Sequence, residues 1–233
     1  MDKPNNDSKN LAQIANFFIG NYCKAYPEKL NEFIRMMKET FTVVEVKPYH
    51  TTITSLPWRR IYTTNYDNVI EEAAKIKKIQ IDSKDLEDRV DMAARHCIHI
   101  NSKIEKLDKE SLNKSFKLTS SSYVSHETFY NTEWKRRFMD DMEVAGAIVF
   151  IGYSLYDIDI EKILFKNNQK IKDKVIFIQQ ENLDEMDKYD LEQYGKVYLI
   201  GTEKFAELVE KHPPINTKEE IFFECFQEFK LIQ

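Results

Sequence analysis

The chain is short of glycine and proline: its 233 residues include 5 Gly and 6 Pro. Loops that cradle phosphate on backbone amides need glycine for close approach, so this scarcity argues against a glycine-rich phosphate loop. Cysteine is scarce as well. Cys23, Cys97 and Cys225 stand alone with no Cys-x-x-Cys pair, which argues against a zinc module and a disulfide framework and reads as reduced thiols of a cytoplasmic protein. No signal peptide and no apolar run of 18 residues occurs, so a soluble chain without a membrane partner is expected. A basic excess is missing too, because 34 Lys+Arg face 39 Asp+Glu for a net charge of −5. Direct nucleic-acid binding is therefore not expected. The local basic clusters Trp58-Arg59-Arg60 and Trp134-Lys135-Arg136-Arg137 read as solvated faces.

What is present is 42% hydrophobic residues, enough for the core of one substantial domain. Residues 1–40 carry apolar residues at helical spacing in LAQIANFFIGNYCKAY and PEKLNEFIRMMKETF, the second opened by Pro27, and predict two N-terminal helices. From residue 41 the pattern changes to short apolar runs: RIYTT (60–64), HCIHI (96–100), FKLTS (116–120), AIVFIG (147–152), KVIFIQQ (174–180) and KVYLIG (196–201). Runs apolar at nearly every position suit strands covered on both faces. Between them KDLEDRVDMAARH (84–96), TEWKRRFMDDMEVAG (132–146), DIEKILFKNNQK (159–170), LDEMDKYDLEQYG (183–195) and TEKFAELVEKH (202–212) read as helices. The alternation predicts an α/β fold with a doubly wound, mainly parallel sheet over 41–210, preceded by the N-terminal helical segment. The acidic and apolar tail 211–233 reads as a C-terminal docking helix.

Three strand ends are rich in polar residues: TTNYD (63–67), HIN (99–101) and GYSLYD (152–157). In a parallel sheet the C-terminal strand ends share one edge, so these segments are expected to line one crevice. The pattern Ser154-Leu-Tyr-Asp157 is a capping box that would leave helix N-terminal amides facing that edge. Each residue also has an ordinary reading. Asn65 and Asp67 suit a strand-to-helix turn, His99 suits a satisfied core histidine, and Gly152 and Ser154 suit a tight turn and a helix cap. His50, His96, His126 and His212 lack ligand spacing and read as surface or loop residues. The aromatic stretches 123–134 and 222–229 read as packing or partner surfaces.

In order and spacing, IYTTNYDNVIEEA, IHIN, VFIGYSLYDIDIEKIL, KVIFIQQEN and YGKVYLIGTEKFAELVE resemble the signature segments of the sirtuin-like domains of prokaryotes, many of them in anti-phage defence proteins. The resemblance covers roughly residues 40–210. It implies a Rossmann-like domain that takes NAD as substrate and cleaves the bond between nicotinamide and ribose, with no metal. Carried over, it makes Asn65 and His99 catalytic: Asn65 beside the nicotinamide ribose and His99 as general base. It makes Thr64, Asp67, Asn101, Gly152, Ser154, Asp157, Gly201 and Thr202 cofactor-binding. Asp67 would orient the turn or the carboxamide, Gly152 and Ser154 would line the phosphate and ribose side, and Gly201 and Thr202 the adenosine end.

Hydrolysis of NAD, as an effector of anti-phage defence acting in a homo-oligomer or with other domains or subunits, is the activity the resemblance implies. A non-catalytic nucleotide-binding scaffold is the alternative, and an NAD-dependent deacylase a third reading that the absent four-cysteine module disfavours. Two departures from the family pattern stand out. The opening strand with its Gly-Ala-Gly-x-Ser loop has no counterpart, so either an upstream segment has been lost or the chain lacks the phosphate cradle. The glycine expected after the histidine is replaced by Ile100, Asn101 and Ser102.

Overall fold

The structure, a computed structural model, describes residues 15–90, 95–113, 116–118, 129–153, 155 and 158–212. Ser154, Asp157, His126, Cys225 and the docking helix expected over 211–233, beyond residue 212, lie outside them. The described chain falls into two compact units. One takes residues within 1–45, 60–72 and 81–132, and the other residues within 46–59, 73–80 and 133–233. Among the described residues no helix is long and apolar enough to cross a membrane.

In the first unit a helical stretch that includes the π-helical turn Phe18–Tyr22 leads into α1, Pro27–Phe41. Pro27 sits in the first turn, where its missing N–H costs nothing. Leu30, Phe33, Ile34, Met37 and Phe41 recur on one face of α1 and pack with Ile104, Leu107, Leu112, Phe116 and Leu118. After the second-unit helix α2 (Pro48–Ser55) come β1 (Arg60–Thr63), α3 (Val69–Ile76, which runs on into the second unit), β2 (Asp82–Asp85) and β3 (His96–His99). The three strands form a parallel sheet in the order β1-β3-β2. β3 is the central strand, and all four of its residues are buried.

The second unit adds α4 (Glu133–Val144), β4 (Ile148–Ile151), α5 (Ile158–Ile171), β5 (Val175–Gln179), α6 (Glu185–Glu192), β6 (Lys196–Leu199) and α7 (Gly201–Lys211). Its sheet is also parallel, in the order β4-β5-β6, and again the central strand is fully buried. Phe205, Leu208 and Val209 of α7 cover Ile176 and Ile178 of β5, with Ile53 and Leu56 at the end of α2. Parallel strands alternating with helices make this an α/β, Rossmann-like protein, as the sequence pattern predicts.

Several local expectations fail. The helix expected over 84–96 is replaced at its start by β2, a polar edge strand whose Asp82 N–H donates to Arg95 O at 2.9 Å. β2 ends in an aspartate turn, in which Asp85 N–H donates to Asp88 Oδ2 (2.8 Å) and Glu87 N–H to Asp85 Oδ1 (3.1 Å). Pairing with β3 overrides the helical propensity of these charged residues. No strand forms in the described part of 116–120, because Phe116, Lys117 and Leu118 donate to Ser111 O, Asn101 O and Phe116 O and join no ladder. His96 is a buried β3 residue, its Nδ1 3.6 Å from Asp82 Oδ2, and so is no surface or loop residue. Trp134 and Arg137 are buried as well, and Arg137 and Arg59 both pair with Asp141, which ties part of both basic clusters into the second unit.

Candidate functional site

The parallel register sets Thr63 of β1 opposite His99 of β3, and Asp85 of β2 opposite His99 on the other side. The TTNYD and HIN segments therefore leave the same sheet edge side by side. Every residue of the TTNYD turn has a traceable role. Thr63 Oγ1 accepts the Asn65 N–H at 3.1 Å, and Thr64 O accepts from Asn101 Nδ2 at 3.0 Å. The Tyr66 ring stacks on Phe116 at a centroid distance of 4.5 Å and meets Phe41 edge-on, while its hydroxyl donates to Lys117 O. Asp67 Oδ1 accepts the N–H of Val69 at the start of α3 (3.1 Å), the turn role it was given as its ordinary reading. Asn65 is the exposed residue of the turn, and Asn101 is buried beneath it.

His99 is 1% exposed, and both of its ring nitrogens face acceptors. Nε2 lies 2.7 Å from Glu71 Oε1, and Nδ1 lies 3.2 Å from the Asn65 carbonyl oxygen. The Ser83 hydroxyl of β2 donates to the same Glu71 oxygen. Burial pushes the Glu71 carboxyl up, but the His99 hydrogen bond and charge, with the Ser83 hydroxyl, outweigh it and hold the group below the usual carboxylate range. Cys97, two residues before His99 on the same strand face, places Sγ 3.8 Å from Nε2.

Glu71, Cys97 and His99 each offer a donor atom, all within 4.8 Å of one another, and this donor set suits zinc. In the structure Glu71 Oε1 and His99 Nε2 are engaged with each other, and burial, then the charge of Glu71, pushes the Cys97 thiol well up.

The remaining expected residues of the described chain belong to the second unit. Gly152 follows β4 with φ +62°, and its N–H donates to Ile178 O at 3.0 Å. Gly201 follows β6 with φ +70° and opens α7, with Thr202 in the first turn. Among the described residues no atom lies within 4 Å of where a Cβ would stand at either glycine, and the left-handed backbone leaves the main chain there approachable.

Glu71, Ser83 and Cys97 escape the sequence reading. Glu71 and Glu72 look like ordinary acids in a helix first turn, and Ser83 falls in a stretch with no strand signature. Only the three-dimensional register brings them onto His99.

A Rossmann-like α/β protein with polar residues gathered at parallel strand ends is built to hold a ligand at that edge. The family can be stated more closely. The sequence model of the SIR2-like domain matches residues 59–200, more than half of the chain and all six described strands, and the chain belongs to this family. SIR2-like domains use NAD. Comparison with curated proteins gives no match.

Proposed function

We propose that the protein cleaves NAD at the bond between nicotinamide and ribose. Family membership supports NAD as the ligand. The observation that carries the cleavage reading is the pairing of an exposed asparagine, Asn65, with a histidine, His99, at the ends of neighbouring parallel strands. As the bond breaks, both of its electrons leave with the nicotinamide nitrogen, and the ribose carbon becomes oxocarbenium-like. A water oxygen then bonds to that carbon and loses a proton to a base. The Asn65 amide orients water or a ribose hydroxyl without carrying a titrating charge, and His99 takes the proton. The open main chain at Gly152 and Gly201 suits an approaching polar ligand in the second unit. Release of free ADP-ribose would serve a defence effector that depletes NAD, alone or with further subunits.

Nicotinamide release from NAD by the purified chain tests this reading. Asn65→Ala and His99→Ala are each expected to lower the rate at least about 100-fold while far-UV circular dichroism stays unchanged. Parent-like rates in both variants would overturn it. One observation favours a second reading, a nucleotide-binding module without turnover: His99 is buried with both nitrogens engaged. Binding of ADP-ribose together with no nicotinamide release would select it.

A further inference from the structure

The ring of His99 is clasped by two unequal acceptors. Glu71 Oε1, at 2.7 Å from Nε2, belongs to a carboxylate on α3 that the Ser83 hydroxyl holds from β2. The Asn65 carbonyl, at 3.2 Å from Nδ1, belongs to an exposed turn residue. A charge-assisted contact between two regular elements is the stronger of the two. A histidine that takes a proton needs one nitrogen bare while the other keeps its hydrogen, and which one stays bare is set by the bond the other makes.

We propose that Glu71 is the positioning residue of His99: it holds the Nε2 hydrogen, so that Nδ1, which meets the Asn65 carbonyl only while it carries a hydrogen, is the nitrogen that loses that hydrogen and that contact in the neutral ring that meets the substrate. The proposal rests on the NAD-cleaving reading. The proton lost by water as its oxygen bonds to the ribose carbon goes to Nδ1, and the resulting imidazolium keeps Nε2–H on the Glu71 carboxylate, which balances the new charge. Glu71 never touches substrate. Around this pair, Ser83 donates to Glu71 Oε1, and Cys97 fills the strand face beside Nε2.

The test joins ring spectroscopy to kinetics. Two-bond proton–nitrogen spectra of protein labelled in histidine, with His99→Ala to assign the signal, read the tautomer of His99 without any turnover. The expected neutral form carries hydrogen on Nε2. Glu71→Gln keeps the shape but can donate as well as accept, so the neutral ring is expected to shift its hydrogen from Nε2 toward Nδ1. In the same variant kcat for nicotinamide release should fall about 10- to 100-fold with KM within about threefold.

Ser83→Ala leaves the carboxylate in place and serves where Glu71→Gln fails to fold. It should lower kcat by a smaller factor, again with KM little changed. An unchanged kcat in Glu71→Gln, or hydrogen on Nδ1 in the parent's neutral form, overturns the proposal, as does one tightly held zinc per chain, since Glu71 and Nε2 would then be its ligands. No nicotinamide release by the parent overturns the underlying functional reading, while the spectra still decide whether Glu71 sets the tautomer.

Discussion

Ser102 stands three residues after His99 with φ +74°, in the left-handed region where a Cβ is crowded. It is 3% exposed, and its buried hydroxyl has no hydrogen-bond partner among the described residues. The family pattern calls for glycine close after the histidine; here the glycine-like backbone appears at a serine. That conformation costs an L-residue about 1–2 kcal/mol. Ser102→Gly removes both the crowding and the orphaned hydroxyl, and a gain of about 1 kcal/mol in unfolding free energy is expected by urea titration. Glu71 makes a second residue-scale prediction. Its carboxyl is held low in the folded state, so the stability it contributes is complete above the unfolded carboxylate value of about 4.3 and is lost as pH falls through the lower folded value. The Glu71→Gln variant should accordingly lose less stability than the parent on acidification below about pH 4, read as thermal midpoints across pH.

Among the elements, the turn before β6 passes close to the start of β5. A Cβ on Gly195 would lie 2.5 Å from the Val175 carbonyl oxygen and 2.6 Å from its Cγ1, so the backbone at the start of β5 would have to move. Gly195→Ala is expected to cost about 1–3 kcal/mol in chemical unfolding while leaving the first unit's site residues unaltered. Elements were legible in the sequence where one period dominated. β5 reads VIFIQ and is buried throughout, and α1 repeats Leu30, Phe33, Ile34 and Met37 on one face. β2 was illegible, because DSKD has no apolar period and becomes a strand only by pairing with β3. For the same reason the site was half legible. Asn65 and His99 ride on recognisable strand ends, and the register alone reveals that Glu71 reaches across to Nε2.

At the scale of the whole molecule, two three-stranded parallel sheets share one plan. In each, a fully buried strand is flanked by two that are partly covered. The two central strands nevertheless differ in character. β5 is almost wholly aliphatic and aromatic, whereas β3 carries histidines at both ends and a cysteine between them. An apolar centre gains from burial alone, but the polar end of β3 depends on its partners, His99 on Glu71 and the Asn65 carbonyl. Cys97, with none of its surface accessible, gives that strand a chemical clock. An alkylating reagent reaches the sulfur only while β3 is out of its sheet, so the rate at which Cys97 is modified counts the openings of the strand that bears His99. A ligand that stiffens this part of the protein would slow the clock before any product is formed.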